Sequence, residues 1–141
     1  MYKIVEKDFL TPTICRMKVA APRVAAAALP GQFLIVRTDE KGGRIPLTIS
    51  DYDAEASPMQ MCGMSVGDAF ADVVGPLGVP SDFTEMSLEE LRKRKYVFIA
   101  GGVGAAPVYP QAKWLHERGV AGGVVVGGET PRLLIYEKGK T

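Results

Sequence analysis

The feature that most constrains this chain is the apolar run Tyr96-Val97-Phe98-Ile99-Ala100, which leads without a break into Gly101-Gly102-Val103-Gly104-Ala105-Ala106-Pro107. A short, wholly apolar stretch that ends in glycine is the pattern of a strand buried on both faces. Beyond the turn, Val108, Ala112 and Leu115 recur at helical spacing and Gly119 supplies a C-terminal stop. Pro107 suits the first helical turn, while Pro110 lies at its edge, where it can distort the helix. Gly122-Gly123-Val124-Val125-Val126-Gly127 reads as the next strand. Strand, glycine turn, helix and strand form one βαβ unit, the beginning of a parallel sheet. Two strands and one helix cannot cover both faces of such a sheet, so either another chain covers it or residues are absent from this one.

Upstream the rhythm differs. Residues 2–7 and 13–20 read as strands. In the second, Ile14, Arg16 and Lys18 alternate with Cys15, Met17 and Val19. Pro22 starts a short helical turn through residues 23–28, and Pro30-Gly31 precedes an apolar strand at 32–37. Lys41-Gly42-Gly43 turns the chain into Arg44-Ile45-Pro46-Leu47-Thr48-Ile49-Ser50, and a strand at 69–74 ends at Gly75-Pro76-Leu77-Gly78. Short strands with frequent turns favour an antiparallel barrel for the chain up to about residue 85. Ser87-Leu88-Glu89-Glu90 has the form of a capping box and opens a helix through about Arg94. The expectation is a barrel domain over residues 1–92 and a partial parallel α/β domain over 93–141.

Composition excludes several classes. Seventeen basic and 16 acidic side chains leave a net charge of +1, which gives no dedicated surface for nucleic acid or anionic membrane. The basic run Arg92-Lys93-Arg94-Lys95 reads as complementing a helix C-terminus. Cys15 and Cys62 are the only cysteines and His116 the only histidine, too few for an iron–sulfur cluster or a structural zinc site. The cysteines read as core or boundary residues, and Met59, Met61 and Met64 as core filling. His116 faces away from the apolar stripe of its helix and reads as solvated, while Trp114 and Tyr109 suit a domain or subunit boundary. The charged start lacks a signal peptide's apolar run, and a cytoplasmic location is expected.

A glycine-rich turn between a parallel strand and a helix lets backbone amides approach a pyrophosphate, whose charge the helix N-terminus favours. Pro107 stands where a dinucleotide fingerprint would want its third glycine, so alone the turn fits a phosphate site and a plain tight turn equally. The segment from Arg44 to Ser50 adds a guanidinium, which can hold phosphate bidentately, and hydroxyls that can bond a polar ligand. No Ser-His-Asp arrangement and no paired catalytic carboxylates are evident, so no catalytic side chain is assigned.

Together with Pro30-Gly31-Gln32-Phe33 and Asp72-Val73-Val74-Gly75-Pro76-Leu77-Gly78, these segments resemble the ferredoxin-NADP reductase superfamily. They resemble in particular the branch holding the electron-transfer subunit of dihydroorotate dehydrogenase B and the small subunit of NADH-dependent ferredoxin:NADP oxidoreductase, also called sulfide dehydrogenase. The resemblance implies a Greek-key barrel holding FAD, followed by an α/β domain presenting NAD(P)H to the flavin. It implies flavin contacts from Arg44, Pro46, Leu47, Thr48, Ile49 and Ser50, with Ser57 in a pyrophosphate loop and Gly75 among the cofactor-binding residues. It implies nicotinamide-nucleotide contacts from Gly101, Gly102, Gly104 and Pro107. The partners implied are a larger redox subunit, dihydroorotate dehydrogenase-like or glutamate synthase small-subunit-like, and ferredoxin.

The chain departs from that pattern in two places. The branch has another strand near residues 53–57, and beyond Tyr136 it continues to a cysteine cluster holding a [2Fe-2S] centre whose cysteines this sequence lacks. The sequence therefore reads as a truncated or gapped version of a longer chain. Glu129, after the second parallel strand, can accept from ribose hydroxyls and leans towards NAD; Arg132 leans towards NADP. The expected function is FAD-dependent electron transfer from NAD(P)H, or its reverse. The rival is a non-catalytic assembly module that docks a larger redox subunit.

Overall fold

The computed structural model describes residues 1–12, 14–51 and 64–128. Strand β1 (Tyr2–Phe9) runs antiparallel to β2 (Cys15–Val19), and the two-residue strand β5 (Ala69–Phe70) pairs with its other edge. The alternation read in β2 is real: Cys15, Met17 and Val19 are buried. On the outer face Arg16 pairs with Asp8 and Lys18 with Glu6, both at 2.7 Å. A register shift between Ile4 and Glu6 turns Val5 outwards and keeps Ile4 in the core.

Helix α1 (Pro22–Ala27) follows, then the sheet of β4 (Arg44–Thr48), β3 (Phe33–Arg37) and β6 (Asp72–Leu77), in that spatial order and antiparallel throughout. The two three-stranded sheets enclose one apolar core containing Ile4, Met17, Leu34, Val36 and Phe70. Burying each such side chain contributes about 1.5–3 kcal/mol. The barrel-like character expected for the first half is thus observed, with Cys15 buried in its core and Met64 packed against it.

The strand expected at 69–74 is instead divided, and its second part continues through Gly75 and Pro76 to Leu77. Gly75 makes this possible: a Cβ there would lie 2.8 Å from Leu34 Cβ on the neighbouring strand. The G75A variant is accordingly expected to lose about 1–2 kcal/mol of stability by overpacking. Thermal unfolding reads this directly, and an unchanged Tm would contradict the close approach.

The second half begins with a short 3-10 turn at Asp82–Glu85 and helix α2 (Leu88–Arg92). The capping box is formed: Ser87 Oγ accepts from the Glu90 N–H at 3.2 Å, and the Ser87 N–H donates to Glu90 Oε2 at 3.0 Å. That N–H, reinforced by the Ser87 hydroxyl, holds the Glu90 carboxyl below the ordinary carboxylate value. Strand β7 (Tyr96–Gly101) pairs in parallel with β8 (Gly122–Gly127), and α3 (Ala105–Glu117) crosses between them. Phe83 stands 5.5 Å from Trp114 and 6.1 Å from Tyr96 between ring centroids, in a core shared with Leu91, Leu115 and Val120. Trp114 is therefore buried, packed with Phe83 and Leu91 of the segment assigned to the first domain.

Two further expectations are corrected. Pro110 lies inside α3, buried, rather than at its edge. And among the described residues β7 is covered on one face: Val97 is 67% and Ile99 79% exposed, while α3 and the Phe83 segment pack against the opposite face. His116 is exposed in the last turn of α3, as its position off the stripe suggested.

Candidate functional site

The glycine turn sits at the C-terminal end of β7, where Gly101 pairs in register with Gly127 of β8. Gly102 starts a 3-10 turn with φ of 53°, a left-handed conformation that favours glycine, and Gly104 is the N-cap of α3. Gly101 and Gly104 are different, because their φ values of −107° and −61° suit any residue. A Cβ built on either would meet no atom within 4 Å. Neither backbone strain nor packing among the described residues explains these two glycines. The space they leave open is what a close-lying ligand would fill.

The helix start has matching electrostatics. Among the described residues no side chain caps α3, and no acidic residue stands in its first turn, so its positive end is compatible with an anion. Pro107 occupies the first turn and is half-buried, and its carbonyl accepts from Gln111 Nε2 at 3.0 Å. The terminus and the open glycines face the end of the parallel strands at which α/β sheets take ligands.

The second element is β4. Among the described residues it has a ladder partner only on its β3 side. Pro46, exposed and without an N–H, suits a strand with no ladder partner on its other side among those residues. Leu47 and Ile49 direct their side chains into the first core, which leaves only their backbone to a ligand. Arg44, Pro46 and Thr48 occupy the opposite face, and Ser50 is buried just beyond the strand. Arg44 is exposed and makes no ion pair or hydrogen bond among the described residues, although it stands directly across from Arg37.

The two elements are held to one another. Lys113 Nζ on α3 donates to Asp51 Oδ1 at 2.7 Å, immediately after the β4 segment, and Ser81 Oγ donates to Gln111 Oε1 at 2.9 Å. Leu10, beyond the end of β1, packs against the Ala100 and Ala105 cluster around the turn, as do Ala106 and Val108. These links were missed by sequence reasoning, since lysine, aspartate, serine and glutamine at unrelated spacings carry no pattern. Gly75 has the packing role described above. Ser57 and Glu129 lie outside the described residues.

The run from Arg92 to Lys95 lies elsewhere. Arg92, Arg94 and Lys95 line an open cavity of about 580 Å³ at the N-terminal ends of β7 and β8, away from the glycine turn, and Lys93 pairs with Glu89 on its own helix. No helix among the described residues is long and apolar enough to cross a membrane.

An antiparallel strand-rich module joined to a βαβ unit, whose glycine turn opens on a helix start with no side-chain cap among the described residues, defines the class: a two-module α/β-and-β fold with an anion-compatible turn. No family model matches the sequence. The chain is 35% identical over 145 residues to the dihydroorotate dehydrogenase B (NAD(+)) electron transfer subunit homolog of Thermotoga maritima, covering 94% of this chain and 49% of that protein. It is 53% identical over 150 residues to an uncharacterized protein in the adh 3′ region of Clostridium beijerinckii, covering 98% of this chain and 51% of that one. The structure of NADH-dependent reduced ferredoxin-NADP oxidoreductase matches with a TM-score of 0.82 at 33% identity, over 100% of this chain and 53% of the other. Phthalate dioxygenase reductase shares the fold, with a TM-score of 0.69 at 20% identity, over 96% of this chain and 45% of the other. The chain belongs to the ferredoxin-NADP reductase superfamily. It spans about half the length of the curated relatives it matches.

Proposed function

We propose that this chain binds FAD on its β4 side and a pyridine nucleotide at the glycine turn, and serves as an electron-transfer subunit. Electrons from NAD(P)H would pass through the flavin to an iron–sulfur centre or a larger redox subunit, or in reverse. The observation that carries the reading is the pair of unexplained glycines, Gly101 and Gly104, beside an uncapped helix start. Relatives named as electron transfer subunits of an NAD(+)-linked enzyme support it, as does the likeness to an NADH-dependent ferredoxin-NADP oxidoreductase.

Bound FAD would supply the chemistry, accepting a hydride as two electrons and releasing them singly. The chain's own residues bind and orient. Arg44 would hold flavin phosphate through charge-assisted hydrogen bonds, and the free edge of β4 would offer backbone groups to the polar rim of the ring. Thr48 and Ser50 would add hydroxyls beside them. Gly101, Gly102 and Gly104 would let the nucleotide's phosphates lie against the backbone while the start of α3 stabilises their charge. The packing of Leu10 against the turn would keep water from that side of the contact. Cys15 and Cys62 are too few to hold a cluster, so the electrons would leave for a centre on another polypeptide segment or subunit.

Purified protein is expected to be yellow, with flavin absorbance in the blue, and to bleach anaerobically on addition of NADH or NADPH. The nucleotide that bleaches it faster identifies the physiological donor, and Glu129 leads us to expect NADH. A colourless protein that takes up no added FAD would overturn the reading in favour of a non-catalytic docking module.

A further inference from the structure

The four ion pairs formed between described residues differ in what they join. Arg16–Asp8 and Lys18–Glu6 lie across one hairpin, and Lys93–Glu89 spans one turn of α2. Lys113–Asp51 alone joins the strand-rich half to the α/β half, across 62 residues of sequence, with its side chains only 22% and 25% exposed. With both side chains largely shielded from solvent, this pair is screened less than the three surface pairs and holds its two ends in a defined geometry. Its position suggests what that geometry serves. Asp51 directly follows Ser50 at the end of the β4 segment, and Lys113 rides on the helix that begins at the glycine turn.

We propose that the Lys113–Asp51 ion pair is a positioning latch that sets the distance between the flavin-binding strand and the nucleotide-binding turn. The inference rests on the flavin and nucleotide reading above. Lys113 lies eight residues beyond Ala105, which is roughly 12 Å along the helix axis at about 1.5 Å per residue. Anchoring the helix at that distance fixes the angle of its first turn relative to the β4 segment. Gln111 supplies a second anchor, because it accepts from Ser81 and donates to the carbonyl of Pro107 within the first turn. Hydride transfer is steeply sensitive to such placement: a displacement of about 1 Å can cost roughly 100-fold in rate. Lys113 and Asp51 therefore act through the turn and the strand and touch no reacting atom.

The test uses the FAD-loaded full chain. Flavin reduction is followed anaerobically by stopped flow with NADH or NADPH, whichever reduces the wild type faster. K113M and D51N are each expected to lower the limiting rate about tenfold, with half-saturation by the nucleotide and bound FAD nearly unchanged. The double variant should be slowed by clearly less than the product of the two single effects, because the two substitutions share a contact. The charge-transfer absorbance between nicotinamide and flavin should weaken in parallel, and K113R should retain most of the wild-type rate. Wild-type limiting rates in K113M and D51N overturn the latch while leaving the proposed function standing. So does a loss of Tm and FAD content in place of rate, which would mark a merely structural pair. A wild-type protein that binds no FAD overturns both.

Discussion

Valine at position 101 is expected to abolish most reduction by pyridine nucleotide while leaving the fold and the flavin in place. Gly101 has an ordinary extended backbone, with φ of −107° and ψ of 124°, which β-branched residues adopt readily. Its missing side chain would touch nothing within 4 Å. Folding therefore loses little in the G101V variant, and restricting the unfolded chain could even add about 0.4–1 kcal/mol. The isopropyl group would instead fill the opening that the nucleotide phosphates are proposed to enter. We expect kcat/KM for NAD(P)H to fall about 100-fold or more, equivalent to roughly 2.7 kcal/mol of lost transition-state stabilisation. Flavin absorbance, reduction by dithionite and Tm should stay close to wild type. Gly102 would make a poorer probe, because its φ of 53° strains any replacement whatever the ligand does. Wild-type nucleotide kinetics in G101V would remove the turn from the site.

How much of this was legible in the sequence depends on how local each signal is. The βαβ unit was readable because apolar run, glycine turn and helical stripe fall within one stretch of chain, as was the capping box at Ser87 and Glu90. The continuation of β6 through Gly75 was not, because it depends on Leu34 approaching from a strand some forty residues away. The partner of Trp114 was hidden for the same reason: Phe83 sits in a short turn whose only distinction is the core it happens to meet. The exposure of Val97 and Ile99 runs the other way. An apolar run says that both faces of β7 are suited to burial, and the described residues supply a cover for one. At the candidate site the glycines and Arg44 were visible by residue type, while the contacts that hold the two modules together were invisible. Lys113 and Asp51 carry no spacing rule, and only the tertiary fold brings them to 2.7 Å.

Removing the Arg44 side chain is expected to weaken FAD binding without weakening the protein. In the β3–β4 ladder Arg44 stands opposite Arg37, and like charges directly across an antiparallel pair are unfavourable by about 0.2–1 kcal/mol. Arg37 also faces Asp72 in register on its other side, whereas Arg44 has no carboxylate partner among the described residues. The fold thus gains nothing evident from this guanidinium, and an R44A apo-protein should melt at or slightly above the wild-type temperature. Its proposed anion is the flavin pyrophosphate, for which charge-assisted hydrogen bonds are worth about 1.5–3 kcal/mol. The dissociation constant for FAD should therefore rise roughly ten- to 100-fold. Titration of the apo-protein by flavin fluorescence measures it, and riboflavin provides the control. Without a pyrophosphate, riboflavin should bind wild type and R44A alike, and salt should weaken FAD binding less in the variant than in the wild type. Equal losses for riboflavin and FAD would place Arg44 against the ring or the ribityl chain instead, and an unchanged FAD affinity would take it out of the site.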